Sequence, residues 1–441
     1  MESIAAWFRF ADRKTDLATE TRAGVTTFMV MAYIIFVNPS ILGAAGIDKG
    51  AAAAATALVA GIMTIVMGVA ANYPLALAAG LGINGIVAFT LVLGQGLTLA
   101  GAMGVIVIEG ILITILVLVG FREAIMNAVP LSLKRAIGVG IGLFILTIGF
   151  VNGGLVVQGQ GTPVTIAFPN SPSAFVFLIG LVITIALYVL KIRAALIISI
   201  VVTTAIAFVA GVTSVPKDLV LTPSFSTIGQ FNLTEVFSKL GLVTALLTIF
   251  AIMLSDFFDT MGTVTGIAAE AGLAREDGSV PDVGRVLLVD SVAAIAGGFA
   301  GISSNTTYIE SAAGVAEGGR TGFASVVTGV LFLLAIFLAP IAGIIPPVAT
   351  APTLVLVGYL MFTLIKDIPV GDVEEGIPAL LTLILMPLTY DITVGIGAGF
   401  ISWVIIKVVR GKAGAVHPLM WVVSLAFVVF FLKDWIQALV K

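Results

Sequence analysis

Cysteine is absent from the sequence, and histidine occurs once, at His417. Without cysteine the chain forms no disulfide and no thiolate metal site. One histidine next to Pro418 supports neither a histidine-based metal centre nor a catalytic triad. The acidic residues do not cluster at the spacing of hard-cation ligands, and no phosphate-binding loop of the G-x-x-x-x-G-K-S/T type is present. These absences argue against an enzyme, a cofactor, a bound metal and ATP-driven pumping.

Charge is also scarce. Only 10% of the residues are charged and 59% are hydrophobic, whereas a soluble domain carries about 25% charged residues. The net charge of −3 is too small to indicate a nucleic-acid partner. The long apolar runs do not alternate with a period of two, so they predict helices and not an outer-membrane barrel. We therefore expect an all-α polytopic protein of the cell membrane.

Residues 1–21 are predicted to be a cytoplasmic N-terminal segment, because they lack the apolar stretch and cleavage site of a signal peptide. Two alternatives remain open for this segment. Ile4, Trp7, Phe8 and Phe10 are spaced to form a short helix on the membrane surface. The other interpretation is a disordered tail.

Fourteen apolar segments are predicted to span the membrane, several of them too short to cross about 30 Å as a plain helix. They lie near 22–43, 51–70, 74–94, 101–120, 136–154, 173–190, 194–212, 241–265, 286–301, 304–317, 321–342, 350–366, 376–388 and 391–409. For a further apolar run at 419–432, the sequence leaves three alternatives open: it lies in the membrane interface, it re-enters the membrane, or it crosses the membrane.

The distribution of basic residues supports this count. With the N-terminus in the cytoplasm, 16 of the 21 basic residues fall in cytoplasmic segments and three in external loops. Cytoplasmic loops of membrane proteins carry such an excess of lysine and arginine. Adding or removing one span would destroy the excess of basic residues in the cytoplasmic segments. The charges therefore predict fourteen spans and a cytoplasmic N-terminus.

The chain divides into two repeats of seven spans, 22–212 and 241–409, followed by a C-terminal apolar segment at 410–441. Seven is an odd number, so the second repeat must be inverted, which is the recurring plan of secondary transporters. The third span of each repeat is interrupted. Residues 72–85 contain one proline, three glycines and two asparagines, and residues 301–315 hold seven hydroxyl or amide side chains and a carboxylate. Lipid offers no partners for such groups, so these paired stretches predict the transport site.

Three carboxylates are the main candidates for function. Asp256 and Asp259 in the eighth span are three residues apart, which predicts one shared helix face. An ionised carboxylate at mid-membrane costs roughly 2.5–3.5 kcal/mol on insertion scales, so a pair on one helix indicates a purpose. The alternative is that they cap a helix end or pair with a cation near the surface. Glu310 has no basic residue within nine positions; its alternative is a salt bridge to a distant arginine.

Three other polar residues lie within predicted spans. Asn84 is either a ligand-binding residue or a hydrogen-bonding residue between helices. Glu109 in the fourth span and Asp290 in the ninth are interpreted as packing or relay groups. Asp391 is predicted to be a turn residue between the last two spans.

Several ordered motifs resemble those of the AzgA-type purine permeases of the nucleobase–cation symporter-2 superfamily. They include NYPLALAAGLGIN at 72–84, FDTMGT at 258–263 and YIESAAGV at 308–315. Further matches lie at 26–39, 319–322 and 387–390, and the resemblance extends over about residues 12–432.

The resemblance implies a fold of two inverted seven-span repeats with short strands in spans 3 and 10. It implies a core domain, 22–120 with 241–342, and a gate domain, 136–212 with 350–409. It also implies proton-coupled uptake of adenine, guanine or hypoxanthine. By motif match, the residues expected to contact the substrate are Gly82, Asn84, Asp259, Thr307, Ile309 and Glu310.

The residue chemistry is consistent with this expectation. A purine edge presents ring N–H donors to carboxylates and ring nitrogen acceptors to backbone N–H groups. We interpret Glu310 chiefly as the purine ligand and Asp259 as the proton carrier, with Asp256 as a further proton-coupling candidate. The roles of Glu310 and Asp259 are exchangeable on sequence grounds. The expected partners are a purine, a proton or Na⁺, and the lipid bilayer; a homodimer is left open.

Two other functions compete with purine transport. An anion transporter or channel for sulfate or bicarbonate, built on the same fold, would need a cationic residue where spans 3 and 10 cross, and the sequence places none there. An ion channel or a receptor is the second competitor. A channel does not require inverted repeats with a carboxylate in a broken span, and a receptor usually carries a sizeable soluble domain.

Overall fold

The computed structural model describes residues 2–120, 128–159, 161–167, 171–214, 222–275 and 279–440. Within these ranges, ten helices are long and apolar enough to cross a membrane. They are Leu17–Gly43, Lys49–Ala71, Leu99–Leu118, Leu131–Asn152, Pro172–Val189, Leu242–Glu270, Val283–Ala300, Gly322–Gly343, Pro347–Asp367 and Ile392–Val409. The chain is a mostly helical, multi-pass membrane protein. Arg122, Lys217 and Lys441, which the charge count includes, lie outside the described residues.

In the first half of the chain, the described residues form nine helices and three short strands. In order they are α1 (Glu2–Trp7), α2 (Leu17–Met31), α3 (Ile34–Gly43), α4 (Lys49–Ala71), β1 (Leu77–Ala79), α5 (Leu81–Gly85), α6 (Leu99–Leu118), α7 (Leu131–Asn152), β2 (Val156–Val157), β3 (Thr165–Ile166), α8 (Pro172–Val189) and α9 (Ala195–Val209). A π-helical segment, Ile86–Gly94, continues α5.

The second half repeats the pattern of a broken span between long helices. Its elements are α10 (Glu235–Leu240), α11 (Leu242–Glu270), α12 (Val283–Ala300), β4 (Asn305–Thr307), α13 (Ser311–Ala316), α14 (Gly322–Ala335), α15 (Pro347–Phe362), α16 (Val373–Thr389), α17 (Ile392–Val409) and α18 (Pro418–Val440). Short 3-10 segments, Ile336–Gly343 and Thr363–Asp367, extend α14 and α15.

Local sequence explains where several of these helices start and stop. The side chains of Asp48 and Thr98 accept hydrogen bonds from backbone N–H groups in the first turns of α4 and α6, which satisfies donors that a helix leaves free. Asp391 caps α17 in the same way, as expected for a turn residue. Both α4 and α12 end at left-handed residues, Asn72 and Gly301. These two stops turn the chain out of a helix shortly before each central strand.

Strands occur in the third and tenth predicted spans, as the resemblance implies. β1 and β4 pair antiparallel, with Leu77 opposite Thr307 and Ala79 opposite Asn305. A second small sheet, β2 with β3, was not expected from the sequence. The other short predicted spans coincide with α9, which has 15 residues, and with α16, which has 17 residues and contains Pro378 and Pro387.

Two groups of helices can be distinguished by their packing. In the first group α4 packs against α14 and α6 against α12, with the β1–β4 pair between these helices and α11. In the second group α7 packs against α15 and α16, α8 against α9 and α15, and α16 against α17. The two groups meet where α7 and α17 contact α5 and α11.

Glycines set the closest contact in the first group, between α4 and α14. A Cβ atom on Gly68 would lie 2.3 Å from the carbonyl oxygen of Gly322, and one on Gly329 would lie 2.5 Å from that of Gly61. Small residues of this kind allow two membrane helices to approach backbone to backbone.

We therefore expect Gly68→Val to lower the melting temperature of the purified protein. Forcing a side chain into a packed contact costs about 1–3 kcal/mol. Gly50→Ala, on the same helix, is the matched control, because its Cβ would meet only the Asp48 side chain at an ordinary 3.5 Å. Thermal unfolding in detergent measures both variants. Equal melting temperatures for Gly68→Val and the wild type would contradict this account of the helix contact.

The N-terminal segment is helical at α1 and packs on the first group. Phe8 and Phe10 are buried, and both rings contact the edge of Phe323. The fully buried carboxylate of Glu20 accepts hydrogen bonds from the backbone N–H groups of Arg320 and Thr321. The C-terminal helix α18 packs along α17, with Phe427 buried against Phe400.

Candidate substrate site

The β1–β4 pair is tied together at both ends by backbone and side-chain hydrogen bonds. Gly80 N–H donates to the Ser304 carbonyl at 2.8 Å, and Tyr308 N–H donates to the Ala76 carbonyl at 2.9 Å. The Ala76 N–H in turn donates to Ser311 Oγ at 3.0 Å. Each strand leads directly into a short helix, α5 or α13. The two interrupted stretches therefore form one unit that holds the N-terminal ends of two helices in place.

Glu310 lies at the junction of β4 and α13 and is half-buried. The Tyr33 hydroxyl donates a hydrogen bond to Glu310 Oε1 at 2.6 Å. Tyr33 is fully buried, so its hydroxyl holds the carboxylate in a defined orientation. The alternative for Glu310, a salt bridge to a distant arginine, is not found in the part of the chain that the structure describes, because no ion pair there includes Glu310.

Asp259 lies in the middle of α11, half-buried, as an electrostatic neighbour of Glu310. Ile309, next to Glu310, is 50% exposed, although Thr307 two residues earlier is only 2% exposed. The structure thus brings Asp259, Ile309 and Glu310 together at the border between the buried strands and an accessible space. Two carboxylates at this border can accept hydrogen bonds from a ligand that enters it.

Asp256 lies on the same helix but points elsewhere. It is 1% exposed, and its Oδ2 accepts a hydrogen bond from Ser304 Oγ at 2.7 Å. Residues three apart on an α-helix differ by about 60° in direction, and this angle separates the surroundings of Asp256 from those of Asp259. The alternative that these aspartates cap a helix end is wrong, because both lie well inside α11.

Asn84 and Gly82 lie on α5 next to the strand pair. Asn84 is fully buried, and its amide nitrogen and oxygen reach no hydrogen-bond partner among the described residues. A buried amide without a partner leaves its hydrogen-bonding capacity to a ligand or water. A Cβ on Gly82 would lie 2.4 Å from Ile141 of α7, so this glycine permits the close approach of α7. Its contact with a substrate stays a prediction.

Thr307 and Asp290 support the strand from behind the site. The Thr307 N–H donates to Asp290 Oδ1 at 2.9 Å, and Thr260 Oγ1 donates to Asp290 Oδ2 at 2.7 Å. Thr260 also shares a 2.7 Å hydrogen bond with Thr306 of β4. Asp290 therefore positions β4, in agreement with its interpretation as a packing group. Thr307 Oγ1 has no partner among the described residues.

Sequence reasoning did not name Tyr33, Thr260 or Ser304 as individual candidates, although Ser304 lies within the polar stretch 301–315. Tyr33 is separated from Glu310 by 277 positions. One signal was available for it, since a tyrosine followed by Asn38 and Pro39 breaks an otherwise apolar span.

Comparison with solved structures identifies the fold. The fold resembles the transmembrane domain of a cyanobacterial bicarbonate transporter, BicA, with a TM-score of 0.64 over 87% of this chain and 97% of that domain, at 15% sequence identity. That identity shows a shared fold only.

The sequence comparisons identify the family. Residues 19–429 match the Permease family of xanthine/uracil type. The chain is 40% identical to the guanine/hypoxanthine permease PbuG of Bacillus subtilis, over 97% of this chain and 99% of that protein. It is 40% identical to the adenine permease AdeP of Escherichia coli, over 96% and 94%. The chain therefore belongs to the nucleobase–cation symporter-2 permeases, in their AzgA-like group. It is a permease and not an enzyme.

Proposed function

We propose that the protein imports purine nucleobases, namely adenine, guanine and/or hypoxanthine, across the cytoplasmic membrane by proton symport. The names of its relatives support purines as the substrate class. The observation that carries the proposal is the geometry at Glu310. The Tyr33 hydroxyl occupies Oε1, which leaves Oε2 to accept a hydrogen bond from a purine ring N–H.

Asp259 supplies the coupling proton in this proposal. A carboxylate beside another carboxylate in a partly dry site favours uptake of a proton by one of the two. Protonated Asp259 and ionised Glu310 together present one donor and several acceptors to a purine edge. On release to the cytoplasm, Asp259 loses its proton with the base.

The fourteen-span topology, the two inverted repeats and the cytoplasmic N-terminus belong to the same proposal. The helix packing supports the inversion, because equivalent pairs recur in the two halves. The contact of α4 with α14, spans 2 and 11, has its counterpart in α12 with α6, spans 9 and 4. Likewise α8 with α9 corresponds to α16 with α17. The basic residues support the orientation.

Alternating access would arise from movement of the core domain, 22–120 and 241–342, against the gate domain, 136–212 and 350–409. The main contact between them includes α7 against α5, where Gly82 faces Ile141 and a Cβ on Gly85 would lie 2.7 Å from the Phe144 ring. Smooth surfaces of this kind permit sliding in an elevator or rocking motion. Both motions carry Glu310 and Asp259 with the core.

An anion transporter of the same fold is the second candidate, and the similarity to BicA favours it. The site chemistry opposes it. Within the described residues, the groups around the strand pair are the carboxylates Asp256, Asp259, Asp290 and Glu310, which repel an anion.

Thermal-shift binding to the purified protein distinguishes these functions. Adenine, guanine and hypoxanthine are compared with sulfate and bicarbonate at matched ionic strength. At 100 times its Kd a ligand stabilises the folded state by about 2.7 kcal/mol, so we expect a concentration-dependent rise in melting temperature with at least one purine. Stabilisation by sulfate or bicarbonate alone would contradict purine transport. Uptake into liposomes under an imposed pH gradient then tests proton coupling.

A further inference from the structure

A second group of acidic side chains lies deeper than the proposed purine site, where α6, α11 and α12 meet β4. Asp256 and Asp290, on α11 and α12, are 1% and 5% exposed. They accept hydrogen bonds from Ser304 and from the Thr307 backbone. Both are therefore anchored to the strand that leads to Glu310.

Glu109 of α6 points into this group and differs from its members. Its side chain is 0% exposed, and neither of its carboxyl oxygens is reached by a hydrogen-bond donor among the described residues. The carboxyl groups of Glu109 and Asp256 lie near enough to interact directly with each other. Asp256 Oδ1 also lacks a donor. An unpartnered carboxyl group thus meets a second carboxyl group in the interior.

An ionised carboxylate only accepts hydrogen bonds, so two carboxylates in contact need a proton between them. Two adjacent carboxylates of like charge cannot both ionise at ordinary pH when neither has a compensating cation. Among the described residues, no ion pair includes Glu109 or Asp256. A shared proton satisfies both conditions.

The titratable neighbours of the pair on α11 and α12 are acidic, while Lys134 of α7 lies over the ring of Phe258 on α11, 5.5 Å from its centroid. On α11, Asp259 is an electrostatic neighbour of Asp256, and on α12, Asp290 is a neighbour of both Asp256 and Glu109. The π-helical segment Ile86–Gly94 packs against α6 and contains no titratable residue. The charged residues of α10, Glu235 and Lys239, contact the far end of α6 at Thr98 and Gly96.

We propose that Glu109 and Asp256 form a second proton site, which holds one proton between the two carboxyl groups and exchanges it in each transport cycle. The site lies outside the purine contacts and acts on them through Ser304. One proton binds from the outside, and the same proton leaves to the inside. Loss of the proton leaves two adjacent negative charges. These charges must move apart, or the hydrogen bond from the Ser304 hydroxyl to Asp256 must become stronger. Either response displaces residues 304–310, the segment that carries Thr307, Ile309 and Glu310.

This inference rests on the proposed function, and the experiment keeps the two separable. Wild-type protein in liposomes is tested first for purine uptake, which decides the proposed function. Glu109→Gln and Asp256→Asn are then compared with it. In each variant the amide supplies the donor that the pair lacks, so the contact persists without an exchangeable proton. Thr114→Val, on α6, is the matched control.

We expect both amide variants to keep purine binding and counterflow exchange within about threefold of the wild type. Under an imposed pH gradient, the number of protons taken up per purine should fall by one, and the pH dependence of uptake should flatten. Thr114→Val should keep the wild-type ratio. An unchanged proton-to-purine ratio in Glu109→Gln would overturn the second site, even though purine transport itself would stand.

Infrared spectroscopy of the wild-type protein provides a readout that does not depend on a folded variant. A protonated carboxyl group shows a carbonyl band that shifts in heavy water, and the proposal requires such a band from the shared proton. The part of the band that comes from the shared proton should be lost in Glu109→Gln, because the remaining Asp256 then ionises against an amide donor, whereas the part from protonated Asp259 should remain. A wild-type spectrum without any protonated carboxyl band, or an identical band in Glu109→Gln, would refute the proposal.

Discussion

Glu310→Gln is expected to weaken purine binding about 10- to 150-fold, because a hydrogen bond to a charged group contributes about 1.5–3 kcal/mol. The carboxylate accepts the Tyr33 hydroxyl through one oxygen and keeps the other for a purine N–H. Glutamine retains one acceptor and replaces the other with an N–H₂ group, which meets the purine N–H donor to donor. The loss of purine affinity is thus larger than the loss expected from removing one hydrogen bond between neutral groups.

The binding constant of radiolabelled adenine, guanine and hypoxanthine, measured on purified protein, checks this expectation. Glu317→Gln is the matched control. Glu317 closes the same short segment but pairs on the surface with Arg22 and Arg193, so its variant should bind purines as the wild type does. Equal affinities for Glu310→Gln and the wild type would remove Glu310 from the substrate site.

Tyr33→Phe separates the ligand from the residue that positions it. Removing the hydroxyl leaves the Glu310 charge in place but frees its orientation. A smaller loss of affinity, about 5- to 10-fold, is expected from one lost hydrogen bond. In a double variant with Glu310→Gln the two losses should not add, because the residues act on one contact.

Asp259→Asn is expected to remove one coupling proton per purine and so to lower the accumulation of purine in a pH gradient, while preserving counterflow exchange. Asparagine resembles the protonated carboxyl group in shape and charge but cannot release a proton. Each proton carried with a purine lets a pH gradient of one unit sustain about tenfold accumulation. The variant should therefore concentrate purine about tenfold less than the wild type at that gradient.

Paired assays in liposomes measure both properties: uptake driven by a pH gradient, and exchange of internal for external purine. Asp48→Asn provides the matched control, since asparagine caps a helix as well as aspartate does and Asp48 caps α4 far from the site. If Asp259→Asn keeps the wild-type accumulation and the wild-type exchange rate, Asp259 is not the proton carrier. If driven uptake is lost in Glu310→Gln alone, the two roles are exchanged.

The class of protein and the position of its candidate site were predicted from local properties of the sequence. Hydropathy and charge act residue by residue, so unbroken apolar runs identified a polytopic membrane protein without knowledge of its fold. Polar side chains inside the hydrocarbon layer need hydrogen-bond partners whatever the fold of the chain. This requirement singled out 72–85 and 301–315, and the structure pairs them as β1 and β4.

The tertiary structure alone decided which carboxylate meets which partner. The spacing of Asp256 and Asp259 predicted one helix face, but packing directs one carboxylate to Ser304 and the other toward Glu310. In the sequence, Glu109 is a single acidic residue in an apolar helix. In the structure, α6 packs beside α11 and places Glu109 next to Asp256. Tyr33 reaches Glu310 across 277 positions. Such contacts depend on the relative placement of whole helices, and no local pattern of residues encodes that placement.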